Sequence, residues 1–168
     1  NSAATGGGVY VASQKDSTFE ITGGTISKNA ATGSTGGGGI YYTKPQSDTA
    51  AVAYMENGTI TENIAQTGSG GGLYLRGNFD LRGGSISKNS APVYAGGGIN
   101  VYSGAEMTMT GGTISENTAN EAAGIVVSGT VTMNGGEISK NSAKPIYVES
   151  SSTVKNNNNG GGVSVTRG

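Results

Sequence analysis

A seven-residue motif that recurs five times constrains this chain more than any other feature. Each copy has two small residues, a triplet of the Thr-Ile-Ser kind, one charged residue and an asparagine. The copies are Gly23–Asn29, Asn57–Asn63, Gly83–Asn89, Gly111–Asn117 and Gly135–Asn141. Successive asparagines lie 34, 26, 28 and 24 residues apart. A motif that is kept while its spacing varies is typical of a solenoid, in which loops of different length join fixed strands.

Two further stretches recur in each repeat, and both alternate apolar with polar residues. The first follows a run of glycines, as in Gly6–Val11, Gly37–Tyr42 and Gly70–Leu75. The second precedes the motif, as in Phe19–Thr22 and Phe79–Arg82. Alternation with a period of two is typical of half-buried strands. Three such strands per coil, each pairing with its counterpart in the next coil, predict an all-β, right-handed parallel β-helix of about six coils.

The alternation assigns inward and stacked positions within the motif. Its isoleucines are predicted to form one core column, which consists of Ile26, Ile60, Ile86, Ile114 and Ile138. Its asparagines are predicted to form a ladder of amides, or else to be turn residues that accept left-handed backbone geometry. They are Asn29, Asn63, Asn89, Asn117 and Asn141. Each is followed two residues later by an alanine, where we expect a tight inner corner.

The charged residue of the motif alternates in sign from copy to copy. The series is Lys28, Glu62, Lys88, Glu116 and Lys140. In-register stacking would place opposite charges next to each other, and exposed pairs of this kind contribute the low end of roughly 0.2–1 kcal/mol. The alternation therefore favours in-register stacking. Glu56 and Arg82 are predicted to pair in the same way.

The composition excludes several classes of protein. The chain has 32 glycines and three prolines without a Gly-x-y period, so it is not a collagen. Its net charge is −1 and it has no basic face and no basic amphipathic stretch, which argues against binding to nucleic acid or to a membrane surface. Its apolar runs are only a few residues long, so we expect no membrane insertion. It contains no cysteine and no histidine, so disulfides are excluded and the best transition-metal ligands are absent. We predict no metal and no cofactor.

The length of 168 residues predicts one domain, 1–168. Its last coil, 144–168, departs from the pattern: Ile146–Val148 matches the first stretch, and 153–157 is read as a shortened third stretch. The chain starts without a methionine and without a signal-peptide pattern. We therefore expect a segment of a longer repeat protein, whose end coils are covered by more of the same chain or by further copies of it.

The glycine-led strands and the seven-residue motifs together resemble the repeats of right-handed β-helix surface proteins of bacteria, including the polymorphic outer-membrane protein type. The likeness covers residues 6–143, and the Ile-Ser-Lys-Asn of 26–29 stands where that type has Phe-x-x-Asn. The resemblance implies an extracellular or cell-surface location, often an adhesive role, and a fold shared with pectin-lyase-like enzymes. Because the shared residues are core and corner residues, the resemblance indicates a fold rather than an activity.

Catalysis in carbohydrate-active β-helices depends on clustered carboxylates. On the outer face of the second stretch, Glu20 and Asp80 are separated by Tyr54, at roughly 9–10 Å from coil spacing alone. We therefore predict no catalytic residues and no enzyme.

Binding is suggested by Tyr10, Tyr41 and Tyr74, which occupy successive coils and are predicted to stack on the outer face. Such a stack can hold sugar rings, including surface glycans, or a partner protein, or it can simply stabilise neighbouring strands. Outward threonines and serines of the motif also permit an ice-binding solenoid as a minor alternative, although Glu137 interrupts their array.

A structural role requires no special site, and it is the function that we predict. The chain would serve as a stalk, an adhesin passenger or a filament subunit of a secreted or surface-displayed bacterial protein. The alternative is a carbohydrate-binding or polysaccharide-degrading β-helix.

Overall fold

The computed structural model describes residues 1–14, 16–44, 52–143, 146–148 and 153–156, with side chains up to residue 143. Every regular element in these ranges is a β-strand. The chain winds as a parallel β-solenoid with four strands in each of five coils, followed by two strands of a sixth.

The strands follow the chain coil by coil. Coil 1 contains β1 (Ser2–Thr5), β2 (Val9–Ala12), β3 (Thr18–Ile21) and β4 (Thr25–Ser27). Coil 2 contains β5 (Ala30–Gly36), β6 (Ile40–Thr43), β7 (Val52–Met55) and β8 (Thr59–Thr61). Coil 3 contains β9 (Ile64–Ala65), β10 (Leu73–Arg76), β11 (Phe79–Leu81) and β12 (Ser85–Ser87). Coil 4 contains β13 (Ser90–Ala95), β14 (Ile99–Val101), β15 (Glu106–Met109) and β16 (Thr113–Ser115). Coil 5 contains β17 (Thr118–Glu121), β18 (Ile125–Val127), β19 (Thr130–Met133) and β20 (Glu137–Ser139), and the sixth coil contributes β21 (Ile146–Val148) and β22 (Thr153–Asn156).

Equivalent strands of successive coils pair in parallel and form four sheets. Sheet A is β1-β5-β9-β13-β17, and sheet B is β2-β6-β10-β14-β18-β21. Sheet C is β3-β7-β11-β15-β19-β22, and sheet D is β4-β8-β12-β16-β20. The pairing follows the sequence repeat, because Ile60 pairs with Ile26 on one side and with Ile86 on the other. The prediction of an all-β parallel solenoid is confirmed.

Sheet A was not predicted as a sheet. Sheets B, C and D are the three repeated stretches, whereas sheet A contains the position predicted as an alanine corner. Ala31 pairs with Ala65 there, and Ala31, Ala65 and Ala91 are fully buried. The strands of sheet A range from two residues in β9 to seven in β5, and apolar and polar side chains do not alternate along them, so no period of two marks them in the sequence. The short strand β22 also differs from expectation, since it joins sheet C beside β19 rather than the sheet of the third stretch.

The core is a set of apolar columns that run along the solenoid axis. Ile60, Ile86 and Ile114 are fully buried in sheet D, whereas Ile26 in coil 1 is only half-buried. Sheets B and C face them with a matching set of buried residues, among them Leu73, Leu75, Ile99, Val101, Met55, Leu81 and Met109. Each coil therefore covers the core of its neighbours, as expected for a solenoid.

The glycine run before each sheet B strand lets neighbouring coils approach closely. A Cβ at Gly72 would lie 2.7 Å from the carbonyl oxygen of Gly98 and 2.9 Å from Nδ2 of Asn89. Real side chains do not come so close to backbone atoms, so only glycine fits this position. The glycine run therefore makes room for the asparagine of the motif.

Candidate functional site

The asparagines of the motif form a buried ladder through all five coils. Each Nδ2 donates to Oδ1 of the asparagine in the next coil, at 2.9 Å from Asn29 to Asn63 and at 3.0 Å in the three following steps. The same Oδ1 also accepts the backbone N–H of the preceding asparagine, at 2.9–3.0 Å. Asn63, Asn89 and Asn117 are at most 1% exposed. The ladder therefore links each coil to the next inside the protein.

The ladder has one member that the sequence analysis missed. Nδ2 of Asn1 donates to Oδ1 of Asn29 at 3.0 Å, so Asn1 occupies the same position one coil earlier. The sequence carried the signal, because Ala3 follows Asn1 by two residues, as an alanine follows every other ladder asparagine.

The left-handed backbone geometry lies one residue before each asparagine. Lys28, Glu62, Lys88, Glu116 and Lys140 have φ angles of 55–56°. The asparagines themselves do not have positive φ, so of the two interpretations of these residues the amide ladder describes their structure. Left-handed geometry at a residue with a side chain costs roughly 1–2 kcal/mol. The five charged corners therefore store local strain that the rest of the coil holds in place.

Some of the predicted charge pairs form across adjacent coils. Nζ of Lys28 lies 3.7 Å from Oε2 of Glu62, and Nζ of Lys88 lies 3.9 Å from Oε2 of Glu116. All four side chains are about half exposed or more, so these pairs contribute little. The pair of Arg82 and Glu56 also forms, at 3.5 Å.

Two carboxylates on the outer face of sheet C, those of Glu20 and Asp80, are engaged by other side chains. The hydroxyl of Tyr54 donates a hydrogen bond to Glu20, which raises the pKa of Tyr54. The guanidinium of Arg82 lies 4.1 Å above the centre of the Tyr54 ring and donates to Asp80 at 3.0 Å. The hydrogen bond to Asp80 raises the pKa of Arg82. This cluster joins coils 1 to 3 and leaves neither Glu20 nor Asp80 unpartnered.

The predicted tyrosines on the outer face of sheet B lie in one continuous stack. The centres of the Tyr10 and Tyr41 rings are 5.2 Å apart, as are those of Tyr41 and Tyr74. Tyr102 from coil 4 extends the stack at 6.0 Å from Tyr74, and Arg76 lies 4.3 Å above the Tyr102 ring. Tyr41 and Tyr74 are only 6% and 7% exposed. The two middle rings are therefore covered and do not offer an open platform, and burial raises the pKa of Tyr74 to about 12.

In the pairing register of sheet B the tyrosines end with Tyr74, and the residues that follow in this register line a pocket. Asn100 pairs with Tyr74 on one side and with Val126 on the other, so these two smaller residues continue the column. They form the floor of a pocket of about 460 Å³. Its wall comes from the ends of the sheet A strands β13 and β17, with Val93, Tyr94 and Glu121. The register of these two strands shifts between Ala91 and Ala95, which carries Val93 and Tyr94 outward to 51% and 53% exposure.

One polar atom in the pocket has no partner. Asn100 is 9% exposed, and its Oδ1 is buried without a hydrogen bond. Buried polar atoms are nearly always satisfied, so an unpartnered one in a residue that lines a pocket calls for a donor that the protein itself does not supply. Ser69, Asn120 and Ser128 add further polar groups to the lining. The sequence analysis did not single out Asn100, although it stands where three coils have tyrosine.

Comparison of the chain with protein-family models gives no match, and neither does comparison with curated proteins or with solved structures. In the part of the chain that the structure describes, no helix is long and apolar enough to cross a membrane. In the same residues, no three acidic side chains are grouped so that they could hold a metal ion.

Proposed function

We propose that this chain is a structural β-helical segment of a secreted or surface-displayed bacterial protein, in which it acts as a stalk, an adhesin passenger or a filament subunit. The observation that carries the proposal is the asparagine ladder. The same asparagine hydrogen bonds join each described coil to the next. Further coils could therefore be added with the same contacts and would lengthen the solenoid. The extracellular or cell-surface location rests on the resemblance of the repeats to bacterial surface proteins.

The proposal includes end-to-end contact with further coils, either of the same chain or of another copy. Val9, Val11, Phe19 and Ile26 in coil 1 are half-buried, while the equivalent residues of coil 3 are buried. A further coil of the same kind would cover these side chains and pair with the open edges of the four sheets. Unpaired parallel edges are known templates for such addition.

Solution mass tests this proposal. We expect the mass from light scattering to rise with protein concentration and electron micrographs of the same sample to show rods. Val11→Asp places a charge on the coil 1 face and should hold the protein at the chain mass. Thr22→Asp is the matched control, because it adds the same charge at an exposed position of the same coil. A constant chain mass for the unmodified protein, or equal assembly of both variants, would contradict end-to-end stacking between copies.

Polysaccharide degradation gains no support from the outer face of sheet C, where Glu20 and Asp80 are held by Tyr54 and Arg82. Lyase and hydrolase assays on polygalacturonate and on neutral polysaccharides, with and without calcium, test that alternative directly. Turnover in these assays would replace the structural role as the main proposal.

A further inference from the structure

We propose that the pocket formed by Asn100, Val126 and the ends of β13 and β17 binds an uncharged saccharide, whose hydroxyl groups donate to Oδ1 of Asn100 and to Glu121. The inference goes beyond the structural role and does not rest on it. It also differs from the predicted tyrosine platform, because the residues that carry it lie in coils 4 and 5.

The first argument is the need for a hydrogen-bond donor. Asn100 lines the pocket, and its Oδ1 is buried without a hydrogen-bond partner. An amide oxygen and the Glu121 carboxylate are both acceptors, so a ligand rich in donors satisfies the two together. Sugar hydroxyls are such donors, and they also accept from the serine hydroxyls and the Asn120 amide that line the pocket.

The second argument is charge. Among the residues described as lining the pocket there is no lysine or arginine, and Glu121 is the charged one. An anionic ligand would therefore lie beside a carboxylate without a compensating cation, which is unfavourable. Uronic acids and phosphorylated sugars are thereby disfavoured, and uncharged sugars remain.

The third argument is shape and surface. The volume of about 460 Å³ lies within the roughly 300–1,000 Å³ that is usual for small-molecule sites. Tyr94 stands half-exposed at the rim, beside Val93. An aromatic ring with a polar tip offers an apolar face to the C–H groups of a sugar and a hydroxyl to its edge.

The test uses the full chain and a panel of short oligosaccharides of glucose, galactose, mannose and N-acetylglucosamine, with oligogalacturonate as the acidic member. Binding is followed by ligand-observed NMR and titration calorimetry. We expect at least one neutral oligosaccharide to bind and oligogalacturonate to bind at least about tenfold more weakly. Asn100→Tyr should abolish binding, because it continues the tyrosine column into the pocket. Tyr94→Ala should weaken binding by about tenfold or more.

The matched control is Tyr10→Ala, since Tyr10 is 57% exposed and Tyr94 is 53% exposed. This control should leave binding unchanged. Tyr94→Ala alters only an exposed side chain, so the test stays decisive even if Asn100→Tyr does not fold. The proposal is overturned if no neutral sugar of the panel binds, if binding survives in Asn100→Tyr or Tyr94→Ala, or if oligogalacturonate binds as well as the neutral sugars. The solution mass is measured in parallel, and the pocket variants should not change it. A failure of end-to-end assembly is thereby distinguished from a failure of sugar binding.

Discussion

The outer face of sheet B differs between coils 1 to 3 and coils 4 to 5. In the first region the rings of Tyr10, Tyr41 and Tyr74 stack on one another. In the second region Asn100 and Val126 hold the same positions of the pairing register and leave a pocket. The backbone pairing is continuous across both regions, as the register of β10 with β14 shows. The pocket therefore lies where the column changes from tyrosine to smaller residues. Coils 1 to 3 are called the closed region below, and coils 4 to 5 the open region.

The comparison shows that the interior of the solenoid is the same in both regions and that only the outer side chains differ. Inside, the asparagine ladder and the apolar columns repeat in both regions with the same contacts. Outside, side chains can change without disturbing the pairing, because alternate residues of a strand point to opposite faces. A solenoid of this kind can carry a site on any coil, provided that its inward residues are kept.

The largest expected effect comes from cutting the ladder at Asn89, between the two regions. Asn89→Ala removes the acceptor of Nδ2 and of the backbone N–H of Asn63, and the donor to the Ile60 carbonyl. Buried groups left unpaired cost about 1–3 kcal/mol each, so we expect a loss of about 3–6 kcal/mol in urea denaturation. Asn134→Ala, at an exposed asparagine, is the control and should change little. Equal effects of the two substitutions would mean that the ladder does not hold the coils together.

Opening the closed region should have the next largest effect. Tyr74→Asn gives coil 3 the residue of coil 4 and removes ring contacts with Tyr41 and Tyr102. Loss of a buried aromatic ring leads us to expect about 3 kcal/mol of destabilisation, measured as a shift of the urea midpoint. Tyr10→Asn, at the exposed end of the stack, should cost about 1 kcal/mol or less. A smaller loss at Tyr74 than at Tyr10 would contradict the packing role of the stack.

Alkaline pH should weaken the closed region through the same tyrosine. Burial raises the pKa of Tyr74 from 10.0 to about 12, so the folded state keeps the phenol proton more tightly than the unfolded chain. The contribution is complete below pH 10 and is lost as the pH rises from about 10 to about 12. We expect the free energy of unfolding to fall by about 1–2 kcal/mol over this window because of Tyr74. Tyr74→Phe should lack this part of the fall, and an unchanged pH profile in that variant would exclude Tyr74 as its source.

Closing the open region should have a smaller and opposite effect. Asn100→Tyr fills the pocket, removes the unpartnered Oδ1 and adds a ring to the column, so we expect a gain of about 1 kcal/mol in unfolding free energy. Asn134→Tyr makes the same change at an exposed site and should stay within about 0.5 kcal/mol of the original protein. A clear destabilisation by Asn100→Tyr alone would show that the pocket cannot accept a ring.

The smallest effect is expected at the charged corners, which are the same in both regions. Glu62→Gly and Glu116→Gly each relieve a positive φ and each remove one exposed ion pair. The relief is offset by the greater freedom of glycine in the unfolded chain, so we expect a net change within about 1 kcal/mol. Differential scanning calorimetry should give the same shift for both variants. A difference above about 1 kcal/mol between them would mean that the two regions do not share one framework.

The repeat predicts the inward columns because burial forces a period of two on each strand. Ile26, Ile60 and Ile86 could be placed in register from their spacing within the motif, and the structure pairs them so. The structural role of the asparagines was harder to predict, because asparagine is suited both to an amide ladder and to a left-handed turn. Geometry decides between these two, since the positive φ falls on Lys28 and its equivalents.

Sheet A and the pocket are the parts that sequence patterns did not predict. β5 consists of alanine, threonine, serine and glycine and carries too little apolar contrast for a periodic signal, and β9 has only two residues, so both read as corners in the sequence. The pocket depends on where the register shift of β13 carries Tyr94, and that position is set by tertiary packing. The only sign of the pocket in the sequence is Asn100, which stands where the three preceding coils have tyrosine.

The amide ladder also gives the rod a direction. Every Nδ2 in the series donates toward the following coil, so the amide dipoles of Asn29, Asn63, Asn89 and Asn117 all point the same way. A turned-over neighbour would bring donor to donor or acceptor to acceptor at the junction. If copies join end to end as proposed, the ladder therefore favours a head-to-tail arrangement, which is heterologous and gives open, polar filaments unless a rotation closes them into rings. Such a filament has two chemically different tips, and growth at one tip can be blocked without blocking the other.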